Sequence, residues 1–199
     1  MSIEFYNKNA EEFYNGTVNA DMSATCDKFL KYIKHGRRIL DVGCGSGRDS
    51  LYFLKRGYEV VSIDASEEMV KMSSRLTGQK TLKMRFDEIN FDTEFDGVWA
   101  CASLLRVPKS DIEEVLRKLV KSLKTEGILF ASFKYGNNEL IRDNRLFNSY
   151  DEDGLQDLLK MVAELELIDI WKTQDVRPGR EGESWVSCIC KNKGAGRIL

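Results

Sequence analysis

Apolar residues fall along this chain in two alternating rhythms. Short solid runs centre on Ile39-Leu40, Val60-Val61, Val98-Trp99-Ala100 and Ile128-Leu129-Phe130. Such runs predict strands over about 38–42, 58–63, 95–101 and 127–133, because parallel strands covered by helices on both faces show little alternation. A weaker strand is expected over 81–85. Between the runs, apolar positions recur three and four apart, the spacing of one helix face. Leu51 and Leu54 begin one such face, and residues 67–76 form another. The clearest helix spans 110–124, where Ile112, Val115, Leu116, Leu119, Val120 and Leu123 make one stripe. Ser110 with Glu113 is expected to box its start, and Ser149 with Glu152 to box a later helix carrying Leu155, Leu158, Leu159 and Val162. Two last strands, about 167–173 and 184–190, are separated by a hairpin-length connection, which predicts an antiparallel pair.

The alternation of strands and helices predicts an α/β chain with a parallel sheet, since a strand-helix-strand unit returns parallel to its start. Ahead of it, Tyr6, Ala10 and Phe13 share helical spacing, and so do Met22, Cys26, Phe29, Leu30 and Ile33. His35-Gly36 is a natural stop. Residues 1–34 are therefore expected to form a helical lid or cap, 35–191 the main domain and 192–199 a tail, frayed from Lys191. Residues 136–149 are polar and read as an irregular loop bordering a substrate pocket.

Composition narrows the picture only a little. A chain of 199 residues suits one domain, and 42% hydrophobic with 31% charged is ordinary for a globular protein. A net charge of −2 gives no electrostatic footprint for nucleic acid. The five cysteines are scattered without metal-ligand spacing, so reduced thiols and no metal are expected. No apolar run is long enough to span a membrane and no signal peptide begins at Met1, which places the expected setting in the cytoplasm without membrane attachment.

Candidate chemistry gathers at Asp41-Val-Gly43-Cys-Gly45-Ser-Gly47-Arg48-Asp49. It reads as a strand end, a glycine turn and a helix start, and such a turn can offer backbone amides and a positive helix end to an anion. A dinucleotide fingerprint would put its third glycine at position 48, where Arg48 stands, and no phosphate-loop lysine follows. Asp64 ends the next strand about twenty residues on, where a carboxylate suits the vicinal hydroxyls of a ribose. Asp87, with Glu88 beside it, follows the third strand and is a candidate for an adenine amine, with Met69 or Ile89 against the ring. Tyr6 or Tyr14 is a candidate cover for the ligand.

Asp-x-Gly-x-Gly-x-Gly, together with Asp64, Asp87 and the order of elements, resembles the class I S-adenosylmethionine-dependent methyltransferases from about residue 35 to 191. The wording Gly-Ser-Gly-Arg-Asp-Ser and Ala-Ser-Leu-Leu-x-Val-Pro is similar to small bacterial members related to tellurite-resistance methyltransferases. The resemblance implies a Rossmann-like, doubly wound sheet of seven strands in the order 3-2-1-4-5-7-6, the seventh antiparallel, with S-adenosyl-L-methionine across the carboxyl ends of the first strands. It implies that Gly43 and Gly45 approach the methionine part and Asp64 binds the ribose, with Asp41 and Ala65 also among the cofactor-binding residues. Asp87, Glu88 and Met69 would hold adenine, Cys101 and Ala102 would line the sulfonium, and Arg48 would pair with the cofactor carboxylate.

Members of the group often carry histidine where this chain has Arg106, and the single histidine, His35, precedes the first strand. No histidine base is therefore expected, and Tyr14, Glu88 or Tyr135 are the alternatives if a base is used. Arg106, Arg177 and Arg180 are candidates to bind an anionic acceptor, since guanidinium suits carboxylate or phosphate, and Tyr6 and Tyr135 are further substrate candidates. The expected activity is methyl transfer to a small-molecule acceptor. A non-catalytic cofactor-binding sensor or partner subunit, a protein or nucleic-acid methyltransferase, and an NAD-dependent oxidoreductase, which Arg48 disfavours, are the other readings weighed.

Overall fold

The computed structural model describes residues 2–194. Three helices come first: α1 (Ser2–Lys8), α2 (Ala10–Thr17) and α3 (Ser23–Tyr32). Five parallel strands follow with their connections: β1 (Arg38–Val42), α4 (Arg48–Lys55), β2 (Glu59–Asp64), α5 (Glu67–Thr77), β3 (Leu82–Lys83), β4 (Phe95–Ala100), α6 (Ile112–Ser122) and β5 (Leu123–Tyr135). The chain ends with β6 (Glu139–Arg142), β7 (Arg145–Tyr150), α7 (Glu152–Lys160), β8 (Leu165–Gln174) and β9 (Ser184–Asn192).

The sheet runs β3-β2-β1-β4-β5, then β9 antiparallel to β5 and β8 antiparallel to β9. This is the expected order with the last two strands in the expected places. The addition is the β6–β7 hairpin. β4 accompanies β5 only as far as Ala131, and β7 then pairs with β5 at Lys134 and Tyr135. The hairpin thus takes up the edge that β4 vacates, beyond the carboxyl end of β4.

Residues 136–149 are therefore not an irregular loop. All four residues of β6 are exposed, so it carries no alternation to detect. Its turn did carry a signal: Asp143 and Asn144 lie at φ 50° and 56° in a two-residue connection, the left-handed pair that such hairpins need and that these residue types tolerate.

Several boundaries differ for local reasons. β3 is two residues long. Ser149 lies inside β7, and Asp151 caps α7 by accepting from the amide of Gly154 at 2.8 Å. Ser110 donates to Asp111 rather than capping α6. Ser66 caps α5, accepting from the Met69 amide at 3.2 Å. Lys191 and Asn192 belong to β9, and Asn192 donates to the carbonyls of Leu123 and Lys124, both at 3.2 Å. Residues 195–199 of the expected tail lie outside the described residues.

The apolar stripe of α6 packs on one face of the sheet with Leu40, Val42, Ile63 and Leu129. On the other face Trp99 stacks on Phe130 with ring centroids 4.0 Å apart, edged by Phe29 of α3 and Phe53 of α4. α3 is therefore part of the core of the main sheet, while α1 contributes no buried residue. Among the described residues no helix is long and apolar enough to cross a membrane.

Candidate active site

A cavity of about 1010 Å³ opens at the carboxyl ends of β1, β2 and β4, under α1 and α2. In open α/β sheets this is where ligands bind, because successive strand-to-helix turns diverge there. The β1 turn, the end of β2 and the end of β4 supply Gly43, Gly45, Asp64, Ala65, Cys101 and Ala102 to its wall, and Asp41, Arg48 and Met69 line it as well.

The glycine turn works through missing side chains more than through free amides. The amides of Gly43 and Cys44 both donate to the Ile63 carbonyl, at 2.9 and 3.0 Å, which ties the turn to β2. The Gly45 amide donates to Asp64 at 2.9 Å. Gly43 sits at φ 71°, and a Cβ there would lie 2.6 Å from the Cβ of Ser103. Gly45 sits at φ 54°, where a Cβ would lie 3.3 Å from the Phe13 ring. Both positions favour glycine by conformation, and Gly43 by space as well.

Asp64 is held by two amides, Gly45 on one oxygen and Ser66 on the other at 2.8 Å. It is the junction of the first two turns. Burial raises its carboxyl above the ordinary range, partly offset by the Ser66 and Gly45 amides. The oxygens fixed in this way keep further lone pairs for a ligand.

Asp41 is buried at the end of β1 and accepts from Ser50 at 2.6 Å. Burial, and then the charge of nearby Asp49, push its carboxyl up to about 8 from an ordinary 3.8. A proton held in the folded chain but lost from the unfolded one favours folding. That contribution is fully present below pH 3.8 and is lost as pH rises through about 8. Thermal midpoints of the ligand-free protein are expected to fall by several degrees between pH 6 and pH 9. Asp41→Asn should flatten that dependence; an unchanged slope in the variant would rule out Asp41 as its source.

Arg48 lines the cavity, but its guanidinium grips Asp49 with two bonds of 2.6 and 2.9 Å and donates to the Thr17 carbonyl at 3.3 Å. Burial works against its charge and Asp49 overcomes this, so the guanidinium is held more firmly than usual. Asp49 also accepts from the Trp99 indole at 2.9 Å. Arg48, expected to pair with a cofactor carboxylate, is engaged by an internal one in the ligand-free chain. The reason is its sequence neighbour, which presents a ready carboxylate.

Asp87 and Glu88 do not line the cavity. Asp87 pairs with Arg85 at 2.9 Å on the surface, which lowers its carboxyl, and Glu88 accepts from the Arg85 amide at 2.8 Å. Phe86, in the same short turn, is the residue that faces inward. Ile89 is part of the core instead. Tyr14 also stays off the wall, where Phe13 stands in its place, while Tyr6 lines it and accepts from Arg106 at 3.1 Å. Tyr135 is exposed, donates to Glu152 at 2.9 Å and has Lys172 over its ring. None of the three expected base candidates, Tyr14, Glu88 and Tyr135, reaches the cavity.

The end of β4 carries two unusual features. Ala102 has φ 52°, a strained value for a residue with a side chain, and its amide donates to Ser132 at 2.8 Å. Ser103, on the cavity wall, has a buried hydroxyl without a partner. Burial pushes the neighbouring Cys101 thiol up to about 12, so it is neutral near pH 7.

The three candidate arginines separate. Arg177 makes a double contact with Asp175 at 2.9 and 2.6 Å, Arg180 pairs with Glu183 at 3.1 Å, and Lys134 contacts both acids. Asp175 is buried, yet the Arg177 contacts hold it well below the usual carboxylate range. Arg106 stands apart, with Arg142 and Arg145 of the unexpected hairpin, all on the cavity wall. Among the described residues no group of three or more metal-ligating side chains gathers.

Comparison with known proteins places this geometry. Residues 40–131 match a family model described as a methyltransferase domain. YqeM of Bacillus subtilis (strain 168), a presumed methyltransferase, is 35% identical over 65% of this chain and 58% of its own length. The chain thus spans little more than half of that relative. Over the fold, a Burkholderia thailandensis 1,6-didemethyltoxoflavin-N1-methyltransferase with bound 1,6-didemethyltoxoflavin and S-adenosylhomocysteine is similar at TM-score 0.77 and 18% identity, covering 97% of this chain and 86% of that one. The magnesium protoporphyrin IX methyltransferase of Synechocystis PCC 6803, solved with S-adenosylmethionine, gives 0.72 and 14%, covering 96% and 95%. The tellurite-resistance likeness rests on the sequence wording alone. With the glycine turn, the clamped aspartate and the sheet order, the chain is similar to methyltransferases over residues 40–131 and shares its fold with S-adenosylmethionine-dependent methyltransferases.

Proposed function

We propose that this protein transfers a methyl group from S-adenosylmethionine to a small-molecule acceptor. The observation that carries the reading is Asp64, fixed by two backbone amides between the β1 turn and α5 and lining the cavity beside two glycines of positive φ. The site fits the cofactor: a fixed carboxylate for the ribose, bare backbone at Gly43 and Gly45 for the amino-acid end, and Phe86 with Met69 as apolar cover for the base. The orphaned Ser103 hydroxyl is a polar atom still wanting a partner at the same wall.

When bound, the cofactor supplies an electrophilic methyl carbon on a sulfonium. Gly43, Gly45, Asp64, Met69 and Phe86 would hold it, and its activated methyl would ask of the chain only an acceptor lone pair held in line, sulfur keeping the electrons of the old bond. The acceptor's proton leaves to solvent. The protein's part is to position and to exclude water. Phe5, Tyr6 and Phe13, packed edge to face at 5.6 and 4.9 Å, roof the cavity from α1 and α2. Asn7 ties α1 to the Ser66 cap at 2.7 Å, and Arg106 ties it to the wall through Tyr6. We take α1 and α2 as a lid whose opening admits both ligands. In-line placement of a reactive acceptor can supply most of the rate, consistent with a cavity that lacks the expected bases.

The test is a mass-spectrometric screen for S-adenosylhomocysteine and singly methylated products, with panels of small molecules, peptides and oligonucleotides. Small-molecule-dependent formation of both products is expected. Turnover confined to peptides or oligonucleotides, or tight cofactor binding with no turnover across all panels, would overturn the proposal.

A further inference from the structure

Resting on that reading, we propose that the acceptor is an anion, a carboxylate or phosphate ester on a flat apolar body, held by Arg106, Arg142 and Arg145. The three guanidiniums come from separate elements: the short turn Leu104–Arg106, the end of β6 and the start of β7. They converge on one ring, lying 4.0, 5.1 and 5.4 Å from the centre of Phe147, and Arg145 lies 4.0 Å from that of Phe5. All three arginines and both rings line the cavity.

Like charges in a partly dry site repel, and proteins normally intersperse carboxylates among them. At the other rim the balance is nearly met, with Lys134, Arg177 and Arg180 facing Asp175 and Glu183. Among the described residues the arginine cluster has one paired carboxylate, the exposed Asp143, at 3.4 Å from Arg145 and 3.9 Å from Arg142.

Hydrogen bonding is incomplete there too. Arg106 uses one nitrogen on Tyr6 and one on the Leu146 carbonyl at 2.6 Å. The Arg145 side chain is only 17% exposed, and its Nε is buried without an acceptor. Burial lowers Arg106's hold on its proton, and Arg145 and Arg142 lower it further, so the local field is positive. A buried donor wanting an acceptor, in a positive field, is the complement of an oxyanion, which guanidinium binds through paired donors. Phe5, Tyr6 and Phe147 supply apolar surface for a flat body beside it.

The experiment is ligand-observed NMR titration of benzoate, phenyl phosphate and the neutral isostere benzamide, into protein with and without saturating S-adenosylhomocysteine. At least one of the two anions should bind tenfold or more tightly than benzamide, and less tightly at high salt. Arg145→Gln should remove at least tenfold of that affinity and leave S-adenosylhomocysteine binding within twofold. Should Arg145→Gln fail to fold, Arg142→Gln, at an exposed position, should still reduce anion affinity threefold or more. Equal binding of benzoate, phenyl phosphate and benzamide, no binding of either anion, or an unchanged anion affinity in the folded variant would overturn the proposal. The two readings fail separately. Anion binding without S-adenosylhomocysteine binding removes the methyltransferase reading, and the converse removes the anion site.

Discussion

An Asp64→Ala variant is expected to bind S-adenosylhomocysteine about a hundredfold more weakly than the parent chain. The side chain does two jobs. It accepts from the Gly45 and Ser66 amides, fixing the β1 turn against the start of α5, and it offers its remaining lone pairs to the ribose. Hydrogen bonds to a charged group contribute roughly 1.5–3 kcal/mol each. Losing about 3 kcal/mol of ligand contact corresponds to about two decades of affinity. Asp64→Asn keeps one acceptor oxygen, so a loss nearer tenfold is expected. Isothermal calorimetry well below the unfolding midpoint reads both values. A loss under threefold in Asp64→Ala would show that this carboxylate does not hold the cofactor.

The second large effect falls on stability. Trp99→Ala should destabilise the fold by about 4 kcal/mol, the usual range for a buried aromatic replaced by alanine. Trp99 is fully buried, stacks on Phe130 and touches Phe29 and Phe53, so α3, α4 and the sheet all lose contact at once. Asp49 also loses the indole donor, although Arg48 still holds it. For a chain of this size each kcal/mol is worth about 2–4 °C, so the midpoint should drop by about 10 °C or more. Trp99→Phe keeps a stacked ring while removing the indole N–H and part of the buried ring volume, and a smaller drop than in Trp99→Ala is expected. Similar midpoints for the two variants in differential scanning calorimetry would mean that the stacking contributes little.

What could be read from the sequence was what local chemistry decides. Asp41, the glycine turn and Asp64 were legible because bare backbone, a strand end and a carboxylate at set spacing leave few other uses. The Ser66 cap and the stripe of α6 followed from helix geometry in the same way. What failed was direction and partnership. Asp87 and Glu88 sit in the expected turn, yet the turn points Phe86 inward and leaves both acids beside Arg85. Tyr14 and Phe13 are neighbours on one helix, about 100° apart around its axis, and only one can face the cavity. Arg48, Arg177 and Arg180 looked available because a carboxylate one to three residues away counts in sequence only as a nearby charge. In the fold, Asp49, Asp175 and Glu183 take up their donors. The β6–β7 hairpin was missed because β6 is exposed throughout and the buried end of β7, Phe147 to Tyr150, mixes polar with apolar residues and so writes no alternation. It brings two of the three arginines that set the character of the acceptor end.

The account stands most directly on where the cofactor sits. A crystal structure of the protein grown with S-adenosylhomocysteine at saturating concentration should show it between the turn at Gly43–Gly45, Asp64 and Phe86, with the ribose on the Asp64 carboxylate. The molecule bound elsewhere, or an empty cavity in well-ordered crystals, would contradict it.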